Sequence, residues 1–254
     1  MHAAATIARY TLLEARRSGM PWLALGCITA ALALAAFVSQ VAITEGHRLQ
    51  LSLAGALLRA CAVFLIAAHV VASIAREAND KGIELALALP LSRPAWYLGR
   101  LLGFSACGAT LAFAFALPLM LWAGPAELAA WGLSLALECA LVAGAALFFA
   151  SVLTQVVPAI AATAGLYLLA RAITAIQAIA SGPLAQQTIA GKLARGSVDA
   201  VAYLLPQLEA VTRTDWLLYG APALVPYVQA IGALVLYFAL LAAAGLFDFS
   251  RRNL

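Results

Sequence analysis

Long apolar runs separated by short polar segments dominate the hydropathy pattern of this chain. Each run reaches the length of roughly 20 residues that a helix needs to cross a bilayer. The pattern therefore predicts an all-α, polytopic membrane protein with one transmembrane domain over residues 1–254. The six predicted spans are residues 21–42, 53–75, 98–123, 128–153, 157–180 and 222–247.

The boundary between the fourth and fifth predicted spans rests on only three residues, Thr154-Gln155-Val156. Pro158 is a turn signal, and together with an even number of spans it favours a tight reversal at this point. The alternative is a single long re-entrant unit, which would change the topology of everything that follows.

The composition excludes a soluble domain. Hydrophobic residues make up 65% of the 254 residues, against about 45–50% in soluble domains. Charged residues make up 10%, and the mean hydropathy is +0.98. The sequence pI of about 9.0 arises from basic residues that flank the spans, so it gives no support to nucleic-acid binding.

The N-terminal residues predict a helix that lies along the membrane surface before the first span. This helix covers residues 3–17 and places Ile7, Tyr10 and Leu13 on the lipid side. Gly19 ends it and Pro21 begins the first span. The apolar run that follows is longer than the 7–15 residues of a secretory signal core. The alternative function of the segment is that of a simple basic anchor.

The segment between the second and third spans holds seven of the chain's 26 charged side chains. It predicts a short amphipathic helix that Pro90 stops, and then a new helix with Ser92 or Arg93 at its cap and Pro94 in its first turn. Trp96 and Tyr97 are predicted to anchor that helix at the interface, beside Arg93 and Arg100. The alternative is a solvated loop that merely joins two spans.

The basic residues orient the chain in the membrane. One side carries Arg9, Arg16, Arg17, Arg76, Lys81, Arg93, Arg100, Arg251 and Arg252, and the other carries Arg48, Lys192, Arg195 and Arg213. Cytoplasmic loops carry the excess of Lys and Arg, so both termini and the segment 76–97 are predicted to lie in the cytosol.

Glu138 and Arg171 fall deep inside predicted spans, where a charge costs at least a few kcal/mol. Glu138 and Arg171 lie at similar depth by a rise of 1.5 Å per residue, so they are predicted to pair. Arg59 is the alternative partner of Glu138. The pair either fixes the packing of two helices or contacts a substrate.

Metal and nucleotide signatures do not stand out in the sequence. Cys27, Cys61, Cys107 and Cys139 fall one in each of the first four spans and are predicted to pack as small apolar residues, with no metal site. Gly191-Lys192 is followed by Leu193 rather than by Ser or Thr, so no nucleotide-binding loop is predicted. The chain is therefore expected not to be an enzyme and to need no cofactor of its own.

Residues 181–220 form the only substantial external segment. Ser197 is predicted to cap a helix that Pro206 ends, and residues 214–219 are predicted to form an interfacial element before the last span. Short external helices therefore precede the sixth span.

The charged segment resembles the first cytosolic loop of ABC-2 type exporter permeases. The likeness rests on Arg76-Glu77, Gly82-Ile83-Glu84-Leu85, Leu89-Pro90-Leu91-Ser92-Arg93 and Tyr97-Leu98-Gly99-Arg100. The resemblance implies that this loop carries a coupling helix that sits in a groove of a cytosolic ATPase subunit. It also implies that the N-terminal helix contacts the ATPase. The residues expected to couple are Arg76, Glu77, Asp80, Lys81, Gly82, Glu84, Pro90 and Arg93.

The resemblance implies a permease subunit of an ATP-driven exporter in the inner (plasma) membrane of a bacterium. Its expected partners are separate ATPase subunits that use ATP and Mg²⁺, a second copy or a similar permease chain, membrane lipid, and an accessory protein in the membrane or periplasm. The family also includes permeases linked with maturation of multi-copper enzymes, although Met1, Met20 and Met120 form no copper-binding cluster. The alternatives are a secondary transporter and an integral structural subunit.

Overall fold

The computed structural model describes residues 2–41, 45–80, 92–153, 155–182 and 189–251, and these residues form helices with no strand among them. The helices are α1 (His2–Arg17), α2 (Met20–Val41), α3 (Gly46–Asn79), α4 (Arg93–Ala116), α5 (Pro125–Val152), α6 (Val156–Ala180), α7 (Ile189–Leu204), α8 (Trp216–Tyr219) and α9 (Leu224–Arg251). Two 3₁₀ helices, Leu117–Leu121 and Leu208–Ala210, complete the described elements.

Six of these helices are long and apolar enough to cross a membrane: α2, α3, α4 with its 3₁₀ extension, α5, α6 and α9. The chain is therefore a multi-pass membrane protein with an all-helical fold, as the hydropathy pattern predicts. The second span is longer than predicted, because α3 extends over 34 residues rather than over residues 53–75.

Local sequence signals mark the start of α4 and the break between α5 and α6, as predicted. Ser92 occupies the N-cap position of α4 and Pro94 follows in the first turn, although the Ser92 side chain makes no cap hydrogen bond. Leu153 adopts an extended backbone after α5, and Gln155 does the same before α6. The fourth and fifth spans are thus two separate helices. Gly220, with φ of 103°, provides a turn before α9 that residues with a side chain rarely adopt.

The centre of the bundle consists of α3, α4 and α5, while α2, α6 and α9 lie at its periphery. Trp131, Phe104 and Phe115 are fully buried in the main hydrophobic core. Large apolar side chains cover the outer surface as well, and Trp22 is 78% exposed. An apolar outer surface of this kind suits contact with lipid tails rather than with water.

Helix α1 lies directly against α4 because two glycines remove the side chains that would keep them apart. A Cβ atom on Gly99 would lie 2.8 Å from the Cβ atom of Ile7, and one on Gly103 would lie 2.6 Å from that of Thr11. Small residues spaced four apart allow such close helix packing in membranes. The prediction that Ile7 faces lipid is therefore wrong, whereas Tyr10 and Leu13 are exposed.

The aromatic residues at the start of α4 are buried, so the prediction that they anchor the helix at the interface is wrong. Trp96 stacks on Phe249 of α9 with the ring centroids 5.0 Å apart, and Tyr97 packs on the same ring at 5.9 Å. These contacts also place the end of α9 beside the start of α4. The basic residues at the end of α9 and at the start of α4, which were predicted to share one membrane side, therefore lie at the same end of the bundle.

The segment that was predicted to be external differs in part from the prediction. Helix α7 runs through Ser197, whose hydroxyl donates to the carbonyl of Ala194, so Ser197 is not its cap. The helix ends at Leu204, shortly before Pro206, as predicted. Further along, Leu217 of α8 packs over Gly55 of α3. This contact closes the bundle at the end opposite to α1.

Candidate functional site

An intramembrane charge cluster joins three helices at the middle of the bundle. It comprises Arg59 of α3, Ser134 and Glu138 of α5, and Tyr167 and Arg171 of α6. Glu138 lies near the midpoint of α5, and neither its side chain nor that of Arg59 is exposed to any degree. Ionisable side chains at this depth are costly unless they are paired, so their partners matter.

Glu138 pairs primarily with Arg59. The Arg59 guanidinium donates to one carboxylate oxygen at 2.6 Å and to the Ser134 hydroxyl at 3.0 Å. Tyr167 donates to the other carboxylate oxygen at 2.8 Å. A fixed guanidinium fork that meets both a carboxylate and a hydroxyl holds α3 and α5 in one relative position.

Arg171 is the partly exposed arginine of the cluster. Its guanidinium lies 3.5 Å from Glu138 and donates to the Tyr167 hydroxyl at 2.8 Å. The predicted pair of Glu138 and Arg171 is therefore present, but Arg171 is 36% exposed and is the weaker of two partners. Arg59, the alternative partner in the sequence analysis, makes the shorter and fully buried contact.

The side of the cluster that faces α8 is closed by aromatic and aliphatic groups. The Trp131 ring lies 5.1 Å from the Arg59 guanidinium carbon, a distance at which the ring face attracts the cation. Trp131 is itself fully buried. Its indole nitrogen, Leu217 and Thr214 all lie within 4 Å of the position that a Cβ atom on Gly55 would occupy. The cluster is thus shielded from the end of the bundle where α8 lies.

A second polar site, which we call the α1 network, lies at the opposite end of the bundle. It comprises Glu14 of α1, Ser73, Arg76 and Glu77 of α3, and Arg100 of α4. Arg100 donates to Glu14 at 3.0 Å and forms an ion pair with Glu77. Ser73 donates to the second Glu14 oxygen at 2.8 Å, and Arg76 lies 3.9 Å from it.

The α1 network favours the charged form of Glu14. Burial raises the pKa of this carboxyl, but hydrogen bonds from Ser73 and Arg100 and the positive charge of Arg100 outweigh that effect. The net pKa of Glu14 is lower than its ordinary value, so the carboxylate binds Arg100 as an anion. Arg100 is only 12% exposed and therefore links three helices from a partly dehydrated position.

The structure brings together only some of the residues expected to couple to a partner. Arg76 and Glu77 belong to the α1 network, Asp80 follows α3 with its backbone N–H bonded to the Arg76 carbonyl, and Arg93 begins α4. Lys81, Gly82, Glu84 and Pro90 lie outside the described residues, as does most of the predicted coupling helix.

Sequence reasoning missed several residues of these two sites. Glu14, Ser134 and Tyr167 were not singled out, because a single polar residue within a helix carries no pattern. The spacing of Gly99 and Gly103 was a usable signal for the docking of α1, since small residues four apart commonly mark a helix contact in membranes.

Neither site has the composition of a metal centre: among the residues that the structure describes, no three His, Cys, Asp or Glu side chains are grouped to hold a metal ion. No protein-family model matches the chain, and the comparison with curated proteins finds no match. Information about function therefore comes from the residues of the two sites and from the sequence pattern of the segment between α3 and α4.

Proposed function

We propose that this chain is the membrane-spanning permease subunit of an ATP-driven exporter of the ABC-2 type. In this proposal a separate ATPase docks on the segment between α3 and α4 at the cytosolic face of a bacterial plasma membrane. The proposal is supported by the resemblance of residues 76–100 to the coupling loop of that family. It includes outward movement of a substrate, or transmission of force to a partner, by a pair of permease chains.

The observation that carries the proposal is the position of α3 between the two polar sites. Its C-terminal end contributes Glu77 to the α1 network and its interior contributes Arg59 to the intramembrane cluster. Arg59 and Glu77 are 18 positions apart on α3, which corresponds to roughly 27 Å at 1.5 Å per residue. A continuous helix of this length can carry a displacement from the segment 81–91 to the middle of the bundle.

The α1 network would widen that displacement to more than one helix. Glu77 at the end of α3 and Arg100 near the start of α4 flank the proposed docking segment. Arg100 forms ion pairs with both Glu77 and Glu14, and so connects α3 and α4 to α1. A force on the segment would therefore act on α1, α3 and α4 together. Such a coupling of three helices suits a subunit that converts events at its surface into rearrangement of its core.

The proposal is tested by charge reversal in the docking segment. The change Glu84→Arg should leave membrane insertion intact and weaken binding of the ATPase, because charge reversal at a contact lowers affinity. The matched control is Glu45→Arg, which reverses an exposed carboxylate at the other end of α3, where Glu45 pairs only with Arg48 among the described residues. The measurement is co-purification of each variant with ATPases of the same genome that carry the G-x(4)-G-K-[ST] loop.

Equal recovery of the ATPase with both variants and the unchanged chain would contradict the docking proposal. The same preparations in vesicles distinguish the alternative of a secondary transporter. An exporter should move substrate only with the ATPase and ATP, whereas flux driven by a proton gradient in the absence of any ATPase would identify a secondary transporter.

A further inference from the structure

A groove on the outer surface of the bundle lies between α1, α2 and α4. It has a volume of about 460 Å³, which falls in the range of roughly 300–1,000 Å³ typical of small-molecule sites. Its walls are formed by apolar side chains such as Leu12 and Leu13 of α1, Ala24 of α2, and Leu111 and Ala114 of α4. The groove is therefore shaped for an apolar ligand.

The arrangement of the helices explains why the groove exists. Helix α2 packs chiefly on α3 and barely touches α4, so a gap remains between the two spans. Met20 and Pro21, at the start of α2, form part of the groove where the chain turns out of α1. The other two walls belong to α2 and α4, which are long and apolar enough to span a membrane, so we expect the groove to open toward hydrocarbon rather than toward water.

A cation lies at the groove, and no acidic side chain among the described residues lines it. Arg16 is one of the lining residues, and Arg17 follows it on α1. Neither arginine forms an ion pair with any residue that the structure describes. The nearby acid on the same helix, Glu14, is instead held by Ser73 and Arg100 of the α1 network.

We propose that the groove binds one acyl chain of an anionic phospholipid from the leaflet that contains α1, with its acidic headgroup on Arg16. The apolar walls account for the acyl chain, and the Arg16 guanidinium, which forms no ion pair with a described residue, accounts for the negative headgroup. A water-soluble anion would find Arg16 but would gain nothing from the apolar walls. This inference does not depend on the proposed export function.

The groove can be filled without disturbing the core of the bundle. Thr110 lines the groove from α4, is exposed, and donates only to the carbonyl of Ala106 in its own helix. The change Thr110→Phe should therefore place a ring where the acyl chain lies. Thr29→Phe is the matched control: Thr29 is exposed on α2, donates to carbonyls of its own helix and does not line the groove.

The test is native mass spectrometry of delipidated protein to which either of two phospholipids with identical acyl chains is added. One carries a phosphatidylglycerol headgroup and the other phosphatidylcholine. The unchanged chain and Thr29→Phe should retain one phosphatidylglycerol more tightly than one phosphatidylcholine, and Thr110→Phe should lose that bound lipid. Arg16→Ala should lower the preference for phosphatidylglycerol roughly fivefold, since one basic residue contributes about 1 kcal/mol near an anionic lipid. Arg9→Ala, on the same helix but outside the groove, should not.

Three results would overturn the proposal. Retention of phosphatidylglycerol by Thr110→Phe at the level of the unchanged chain would show that the groove is not the site. Equal retention of the two lipids by the unchanged chain would remove the role of the headgroup. If Thr110→Phe instead converted a stable pair of chains into single chains with lipid binding unchanged, a second copy would be the occupant of the groove.

Discussion

The intramembrane cluster makes a quantitative prediction about which arginine balances Glu138. Arg59 and Glu138 are both fully buried and joined at 2.6 Å. Removing Glu138 leaves the buried Arg59 without its counter-ion, and removing Arg59 leaves Glu138 with only the more distant, partly exposed Arg171. The loss of one partner of a buried ion pair typically costs about 3–5 kcal/mol. We expect Arg59→Met and Glu138→Gln each to lower the free energy of unfolding by that amount.

Arg171 should contribute less, although it also contacts Glu138. Its guanidinium is 36% exposed and 3.5 Å from the carboxylate. Because this contact is the longer one and Arg59 remains on the carboxylate, Arg171→Met should lower the free energy of unfolding by less than Arg59→Met does. The order of the two arginine effects therefore reports the geometry of the cluster directly.

The assay is a double-mutant cycle on protein unfolded by a denaturing detergent in mixed micelles, followed by circular dichroism. The double variant Arg59→Met with Glu138→Gln should be more stable than the sum of the single effects by at least about 1 kcal/mol, because the two groups share one interaction. The exposed pair of Glu45 and Arg48 is the control, and its cycle should show little coupling. Strictly additive effects at Arg59 and Glu138, or a larger loss from Arg171→Met than from Arg59→Met, would refute the assigned pairing.

Three further predictions concern topology, the docking of α1 and pH. In a chain without its native cysteines, a cysteine at Ser92 should react only from the cytosol and one at Ser197 only from outside; labelling of both from one side would show a miscounted span. Gly103→Leu should release α1 and increase its cleavage by protease, because a Cβ atom there meets α1 at 2.6 Å, whereas Gly26→Leu should not, since its Cβ atom meets nothing within 4 Å. The pKa of Glu14 is lower in the folded chain than its ordinary value. Its contribution to stability should therefore be complete above the ordinary glutamate pKa and be lost as the pH falls through the folded-state pKa. A Glu14→Gln chain that keeps the same acid dependence of unfolding would contradict this.

Hydropathy alone identified the class of the protein and the approximate positions of its six spans. A bilayer forces backbone polar groups to pair within each segment, so a run of about 20 apolar residues is a helix whatever its neighbours are. Local signals also marked helix boundaries: Pro94 lies in the first turn of α4, and the chain breaks between α5 and α6 just before Pro158. The position of Glu138 near the middle of a span also followed from the sequence, because it depends only on where the apolar run begins and ends.

Which side of each helix meets protein and which remains for lipid depends on tertiary packing and could not be predicted from hydropathy. Lipid tails are as apolar as leucine, so hydropathy does not distinguish a buried apolar side chain from a lipid-facing one. For this reason Ile7 was assigned to lipid but lies on α4, and Trp96 was assigned to the interface but stacks on α9. Packing also explains why Arg59 rather than Arg171 is the closer partner of Glu138. The two distances depend on how α3, α5 and α6 are rotated about their axes, and packing sets that rotation.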